Sequence, residues 1–359
     1  MARRFPPAAP VARGGAPATK EHSVHVDPAN RTEVVAVVRE LSKQRVPFYP
    51  QGNGTTTDRG APIGDIEQTV SLAQLDTVTR FAPEDLTCGV EPGLTVAKLR
   101  DQLEEASLAF EPGPFANEDR RTIGGILAEA PPSPRGFDRG SPRSNLIGIA
   151  AIDGNGRELH AGGNVVKNVA GYDLMKLYVG SGGAYFVALE LQLRCVPLPE
   201  TARWLAAPAT SRADAAHAWL ELRRRLADAR ALDLCMLPGG RARVEALVAG
   251  SERFVDALSE ASGLEAIANG RAAMRMLPGA DEESHCGARG RLRASEAPLF
   301  VAELPPDCVG RIHHHGSFAM SAALTGSPAP TYASGVALRL KQAFGGILCP
   351  GRTSFDTAT

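Results

Sequence analysis

The sequence predicts an α+β chain built as two units, and three observations carry that prediction. Its first regular elements run helix, strand, glycine loop, whereas a dinucleotide fingerprint of the strand–loop–helix kind needs the opposite order and a third glycine. Three glycine-rich segments, "PQGNGTTT", "RRTIGGILA" and "AGGNVVKNVAGYDL", punctuate residues 50–174. Composition then shifts at Pro197–Pro199 to an Ala/Arg-rich stretch in which helical and strand spacing mix.

Taken in order, residues 1–22 are rich in Pro, Ala and Gly without an apolar core, and read as a disordered leader. Asn30 followed by Glu33 resembles a capping box, and Val34, Val35, Val37, Val38 and Leu41 share one helical face. A short strand is expected over Val46–Tyr49, running into the loop Gln51–Thr57. "RFAPEDLTCGVEPGLTVAKLRDQLEEAS" reads as strand, turn at Pro92–Gly93, and a helix with Val96, Leu99 and Leu103 inward. "LIGIAAID" and "RELHAGG" form a hairpin across Gly154–Gly156, and "AYFVALELQLRCVPLP" alternates as a half-buried strand. Beyond Pro199, "SRADAAHAWLELRRRLADARAL" is helical, "LDLCML" and "RVEALVAG" are strands, and "GVALRLKQAF" is a helix before a Pro350–Arg352 turn.

The 359 residues suffice for two cores, and 43% hydrophobic with 22% charged content is ordinary for a globular protein. A net charge of -1 and no long Lys/Arg run give no general attraction to nucleic acid or anionic lipid. The six cysteines include no C-x-x-C pair, which argues against an iron–sulfur or zinc-ribbon site and for reduced thiols in the cytoplasm. No stretch approaches a membrane span.

Glycine lets backbone N–H groups converge on an anion, or lie flat on a ring, with no Cβ in the way. A large ligand with a pyrophosphate and a planar ring would use three such segments; tight turns in a β-rich unit are the alternative. "RIHHHGSF" carries three adjacent histidines, of which at most two could share an ion on a strand, so no metal site is expected.

The order and wording of "PFYPQGNGT", "CGVEPGLTV", "TIGGILA", "RGSPRSNLIG", "GGNVVKNVAGYDLMKLYVGS" and "LKQAFGGILCPGR" resemble the FAD-binding domain of the vanillyl-alcohol oxidase and p-cresol methylhydroxylase (PCMH) type. Within that superfamily the chain is similar to the FAD-binding E-subunit family of bacterial glycolate oxidases. The resemblance implies a two-subdomain PCMH-type FAD-binding domain over 23–198, a small α+β cap over 199–345, and a tail, 346–359, returning to the first domain. It implies noncovalent FAD held by Gln51, Gly52, Asn53, Gly54, Thr55, Thr56, Pro92, Gly93, Thr122, Ile123, Gly124, Gly125, Ala128, Gly162, Gly163 and Val187. Lys167, Asn168, Gly171 and Tyr172 would belong to the pocket-side segment.

The function implied is oxidation of a 2-hydroxy acid, glycolate or lactate, to the 2-oxo acid by hydride transfer to flavin. That chemistry needs a base for the hydroxyl proton and a cation for the carboxylate. Arg139 and Arg143 are candidates for the carboxylate, with solvated loop arginines as the alternative, and Lys167 and Tyr172 are further catalytic candidates. His160 reads as an exposed strand-end residue, which leaves the base unnamed. The implied partners are a larger FAD-containing subunit and an iron–sulfur subunit, with membrane contact only through them. Ala130, Ser133 and Phe186 stand where relatives carry glycine; they are the ground for a second expectation, a non-catalytic structural subunit with a degenerate flavin site.

Overall fold

The computed structural model describes residues 24–56, 68–113, 115, 117–131, 135, 142–163, 174–275, 288–320 and 343. They adopt the mixed helix and sheet architecture that the sequence predicts. β1 (Val24–Val26), α1 (Arg31–Gln44), β2 (Phe48–Gln51) and β3 (Gln68–Ser71) come first, and the strands form a parallel sheet in the order β1-β3-β2. Asn30 caps α1 by accepting the Glu33 N–H at 3.0 Å, while the Glu33 carboxylate accepts the Ala29 N–H at 2.9 Å. These reciprocal bonds satisfy donors that a helix start leaves open. Val34, Val35, Val38 and Leu41 pack with Phe48, Val70 and Leu75 as the helical spacing predicts. The strand starts two residues later than its apolar run. Arg45 closes α1 in the left-handed conformation (φ 57), and the Val46 N–H still bonds the Leu41 carbonyl at 3.0 Å.

The rest of the first unit comprises β4 (Val78–Ala82), β5 (Thr87–Val90), α2 (Val96–Glu105), β6 (Leu108–Ala109) and α3 (Ile123–Glu129). It continues with α4 (Pro142–Asn145), β7 (Leu146–Asp153), β8 (Glu158–Gly162), α5 (Met175–Tyr178), β9 (Phe186–Arg194) and β10 (Val196–Pro197). An antiparallel sheet runs β4-β5-β9-β7-β8. The β7–β8 hairpin closes where expected, with Asp153 Oδ1 accepting the Asn155 and Arg157 N–H groups at 2.9 Å each. β9 differs from its half-buried expectation. Phe186 and Ala188 enter the core shared with α2 and α3, while Val187 and Leu189 enter the core shared with α1, so its first half is buried on both faces. Alternation holds only from Glu190 onward.

The second unit is built on β11 (Thr201–Ala206), β12 (Thr210–Ser211), α6 (Arg212–Arg225), β13 (Ala231–Leu237), β14 (Arg241–Gly250), α7 (Glu252–Ser262) and β15 (Glu265–Asn269). β16 (Ala288–Arg291), α8 (Ala297–Ala302), β17 (Gly310–Ile312) and β18 (Ser317–Met320) complete its described elements. The strands form one antiparallel sheet, β15-β11-β14-β13-β17-β18-β16, with β12 beside β14. Ser211 and Ser251 cap α6 and α7 through their hydroxyls. On one face, α6 to α8 pack on Leu232, Leu234, Val244, Ala246 and Val248 around Trp219, whose indole donates to the Leu232 carbonyl at 3.1 Å. The other face holds Ala202, Trp204, Ala231, Leu247 and Ala249, covered by Ala273 and Met274 of the 3-10 turn Arg271–Arg275.

The two units meet through ion pairs and a short ladder. Arg275 grips both carboxylate oxygens of Glu104 on α2, and Arg230 approaches Glu111 at 4.0 Å. β6 pairs with β10 just before the second unit begins. Among the described residues, no helix is long and apolar enough to cross a membrane.

Candidate functional site

Three of the sequence segments singled out above converge on one place. The loop Gln51–Thr56 leaves the C-terminal end of β2 and lies against Thr122, which caps α3 by accepting the Gly125 N–H at 3.2 Å. Asn53 ties the same loop down by donating to the Arg120 carbonyl at 2.9 Å. The Pro92–Gly93 turn completes the group, with the Gly124 N–H on the Pro92 carbonyl at 2.9 Å and the Ile123 N–H on the Leu94 carbonyl at 2.8 Å.

Glycine is required at two contacts. A Cβ on Gly52 would stand 2.4 Å from the Thr122 hydroxyl oxygen, and one on Gly124 would stand 2.8 Å from Pro92 Cβ and 2.9 Å from its carbonyl oxygen. Both are far inside van der Waals contact, so the loop and helix start fit together only without side chains there.

Among the described residues, none accepts a hydrogen bond from the backbone N–H groups of Gly52 through Thr56. Successive donors in a glycine loop, beside the first turn of α3 and the Thr55 and Thr56 hydroxyls, match the donor set a pyrophosphate needs. The chemistry of the cradle therefore fits FAD.

The remaining predicted residues divide. Ile123 and Val187 are buried in the cores, 0% and 1% exposed, so their side chains take no part in the mouth and only their backbone is available to a ligand. Ala128 is half-buried and its carbonyl accepts the Gly182 N–H at 2.8 Å, which ties the 180–183 turn to α3. Gly162 and Gly163 close the β7–β8 ladder, with the Gly163 N–H on the Ile147 carbonyl at 3.2 Å. Arg143 donates to the Leu146 carbonyl at 2.9 Å, and His160 is exposed on β8, as read from the sequence. Arg139, Lys167, Asn168, Gly171 and Tyr172, the tail 346–359 and the predicted helix over 335–344, apart from Ala343, lie outside the described residues, as does the leader.

Two departures from the glycine pattern have defined places. Phe186 stacks on Tyr178 with ring centroids 5.7 Å apart, and the Tyr178 hydroxyl donates to the Gly124 carbonyl at 3.0 Å. The ring thus fills core volume beneath α3. Ala130 ends α3 with φ 48, the left-handed conformation that favours glycine.

A second group of polar side chains was not anticipated. Asp233, Glu245, Arg311 and His313 are each at most 5% exposed on the face of the second sheet away from α6–α8. Arg311 bridges Asp233 at 3.2 Å and Glu245 at 2.8 Å, and Asp233 also meets His313 Nδ1 at 2.9 Å. Burial raises the Asp233 carboxyl pKa, but the charge and hydrogen bonds of His313 and Arg311 outweigh it and hold the group below its ordinary value. The histidines lie in the turn between β17 and β18 rather than on a strand. His313 and His315 stack, 5.8 Å between ring centroids, while the His314 carbonyl accepts from Arg223. Burial and the nearby Arg223 charge lower the His314 pKa to about 4. Among the described residues, no three His, Cys, Asp or Glu side chains are grouped to hold a metal ion. The signal missed in the sequence was a lone carboxylate inside each apolar strand, "LDLCML" and "RVEALVAG".

Residues 23–162 match the family model described as FAD binding domain. Glycolate oxidase subunit GlcD of Bacillus subtilis is 31% identical over 182 residues, covering 51% of this chain and 38% of that protein. Glycolate oxidase subunit GlcE of Escherichia coli is 32% identical over 164 residues, covering 45% and 46% respectively. The match thus spans less than half the length of either relative. Among solved structures, an alkyldihydroxyacetonephosphate synthase superposes with a TM-score of 0.65 at 14% identity, over 91% of this chain and 76% of that one. The chain carries an FAD-binding domain in the fold of the PCMH-type FAD oxidases, and FAD is its cofactor. Within that class, glycolate oxidase subunits are among the proteins it is similar to.

Proposed function

We propose that this chain is the FAD-binding subunit of a glycolate-oxidase-like complex that oxidises a 2-hydroxy acid, glycolate or lactate, to the 2-oxo acid. The observation that carries the reading is the interlocked mouth of Gln51–Thr56, Pro92–Gly93 and Thr122–Gly125, whose loop donors find no acceptor among the described residues. Similarity to two glycolate oxidase subunits supports the substrate class. The proposed division is an FAD-binding domain over 23–198 with a cap over 199–345.

When bound, FAD supplies a two-electron acceptor for the hydride leaving C2 of the acid. The residues of the chain do the rest. Gln51–Thr56 hold the pyrophosphate by backbone N–H and hydroxyl donors, and Thr122 keeps α3 aligned beside them. Arg139 and Arg143 are the proposed clamp for the substrate carboxylate. No histidine lies in the loop at 50–57 and Cys88 is buried, so FAD is proposed to bind noncovalently. No C-x-x-C motif is present to take electrons onward, which supports a larger FAD-containing subunit and an iron–sulfur subunit as partners. The complex is proposed to be cytoplasmic, meeting the inner membrane only through those partners.

The test is a visible spectrum of the purified chain, before and after denaturation. A flavin band that leaves with the denatured protein's supernatant, and that glycolate or lactate bleaches without air, is the expected result. Colour that stays on the polypeptide would overturn noncovalent binding. A folded, colourless chain that ignores added FAD would favour the structural-subunit alternative.

A further inference from the structure

The chain holds three Asn-Gly pairs, Asn53–Gly54, Asn155–Gly156 and Asn269–Gly270. Such a pair can modify itself. Attack by the glycine nitrogen on the asparagine side-chain carbon closes a succinimide ring, and glycine has no side chain to crowd the closure.

The three settings differ. The Gly156 N–H is held by the Asp153 carbonyl at 3.0 Å, and the Asn155 amide donates to the Ala343 carbonyl at 3.2 Å. Asn269 lies in the β15 ladder opposite Arg203, whose Nε donates to its Oδ1 at 2.9 Å. Asn53 is exposed in the loop after β2, outside any ladder. Among the described residues its amide is held only through Nδ2, by the Arg120 carbonyl at 2.9 Å. The Gly54 N–H has no acceptor among them, and Gly54 sits at φ 66.

We propose that Asn53–Gly54 is a self-modifying site that closes the empty chain to flavin, and that bound FAD protects it. This inference rests on the pyrophosphate role proposed above for Gln51–Thr56. The Gly54 nitrogen loses its proton to solvent base and attacks Asn53 Cγ; the Cγ–Nδ2 bond breaks and ammonia leaves. Water then opens the ring at either of its carbonyl carbons, which gives aspartate or isoaspartate at this position. One water enters, one ammonia leaves, and no electrons are transferred.

The products damage the cradle. A carboxylate cannot donate to the Arg120 carbonyl, so the tie that holds the loop is lost. It also sets a negative charge beside donors that await the negative pyrophosphate, and like charges repel. The isoaspartyl product adds a main-chain atom to a loop without slack, since a Cβ on Gly52 would already stand 2.4 Å from the Thr122 hydroxyl oxygen. A pyrophosphate on the loop N–H groups ties up the Gly54 nitrogen, so the loaded chain is spared.

The test ages the full chain, freed of flavin or loaded with it, in mildly alkaline buffer. Peptide mapping by mass spectrometry follows the amide-to-acid change at all three pairs. In the empty chain Asn53 is expected to convert ahead of Asn155 and Asn269. FAD at about 100 times its Kd leaves about 1% of the chain empty, so conversion at Asn53 should slow about 100-fold. Equal rates with and without FAD in a chain whose spectrum shows bound flavin overturn the proposal and leave the flavin reading standing. Conversion led by Asn155 or Asn269 does the same. Asn53→Asp is expected to weaken FAD binding about tenfold or more, with the far-UV spectrum unchanged. A folded variant that binds FAD as tightly as the wild type sinks the proposed closure. A wild-type chain that takes up no FAD overturns the cradle itself, and this inference with it.

Discussion

The two units solve burial in opposite ways. The sheet β4-β5-β9-β7-β8 is buried against α2 and α3 by a nearly continuous apolar cluster, and the special positions of its unit are glycines, where a Cβ would meet a close neighbour. The second sheet divides its faces. One is apolar under α6–α8, and the other carries two carboxylates, an arginine and a histidine out of water. Apolar burial is non-directional and stabilises wherever it occurs, whereas a buried ion set stabilises little unless every member is paired. The difference teaches where to look for chemistry. A glycine mouth offers shape and backbone donors to a ligand, while on the charged face the removal of any one partner leaves another buried charge unpaired.

The largest expected effect breaks the second unit. Arg311→Ala leaves Asp233 and Glu245 short of their shared buried cation, and denaturant unfolding should show a loss of about 3–5 kcal/mol. The double variant Arg311→Met with Glu245→Gln removes both charges of one pair and should recover part of it.

The first unit should respond to one carbon atom. Gly52→Ala places Cβ 2.4 Å from the Thr122 hydroxyl oxygen, and relief of such overpacking costs about 1–3 kcal/mol. Because the displaced loop is the proposed pyrophosphate cradle, a flavin titration should show weaker FAD binding by about tenfold or more, with the second unit's folding unchanged.

The smallest effect sharpens the reading of Ala130. Its φ of 48 carries a left-handed penalty of roughly 1–2 kcal/mol that glycine avoids, offset in part by glycine's greater chain entropy. Ala130→Gly should therefore raise the thermal midpoint slightly, and a fall would mean that the alanine methyl packs better than its backbone suffers.

What was legible in the sequence had local causes. Asn30 with Glu33 announced α1, and the Gly154–Gly156 turn announced its hairpin, because a cap or turn residue acts within four positions of itself. β9 was harder. Its alternation is real from Glu190 to Arg194, but Phe186–Leu189 are buried on both faces by elements far away in the chain. The glycine segments could be read as one ligand's contacts only through resemblance, since their convergence depends on the Thr122 cap and the Pro92 carbonyl meeting in space. Asp233 and Glu245 escaped notice for a like reason. Each is a single charge within an apolar strand, and only the strand order that sets β17 beside β13 shows that Arg311 and His313 answer them.

The placement of Trp204 and Trp219 has a practical consequence. The chain has two tryptophans, both fully buried in the second unit, one on each face of its sheet. Intrinsic fluorescence excited at the indole band therefore watches the second unit alone, while the yellow absorbance of bound flavin watches the first. A single unfolding run followed in both colours separates the melting of one unit from the other, with no label attached. Energy passed from indole to flavin would gauge how closely the two stay docked as salt dissolves the Arg275–Glu104 clasp.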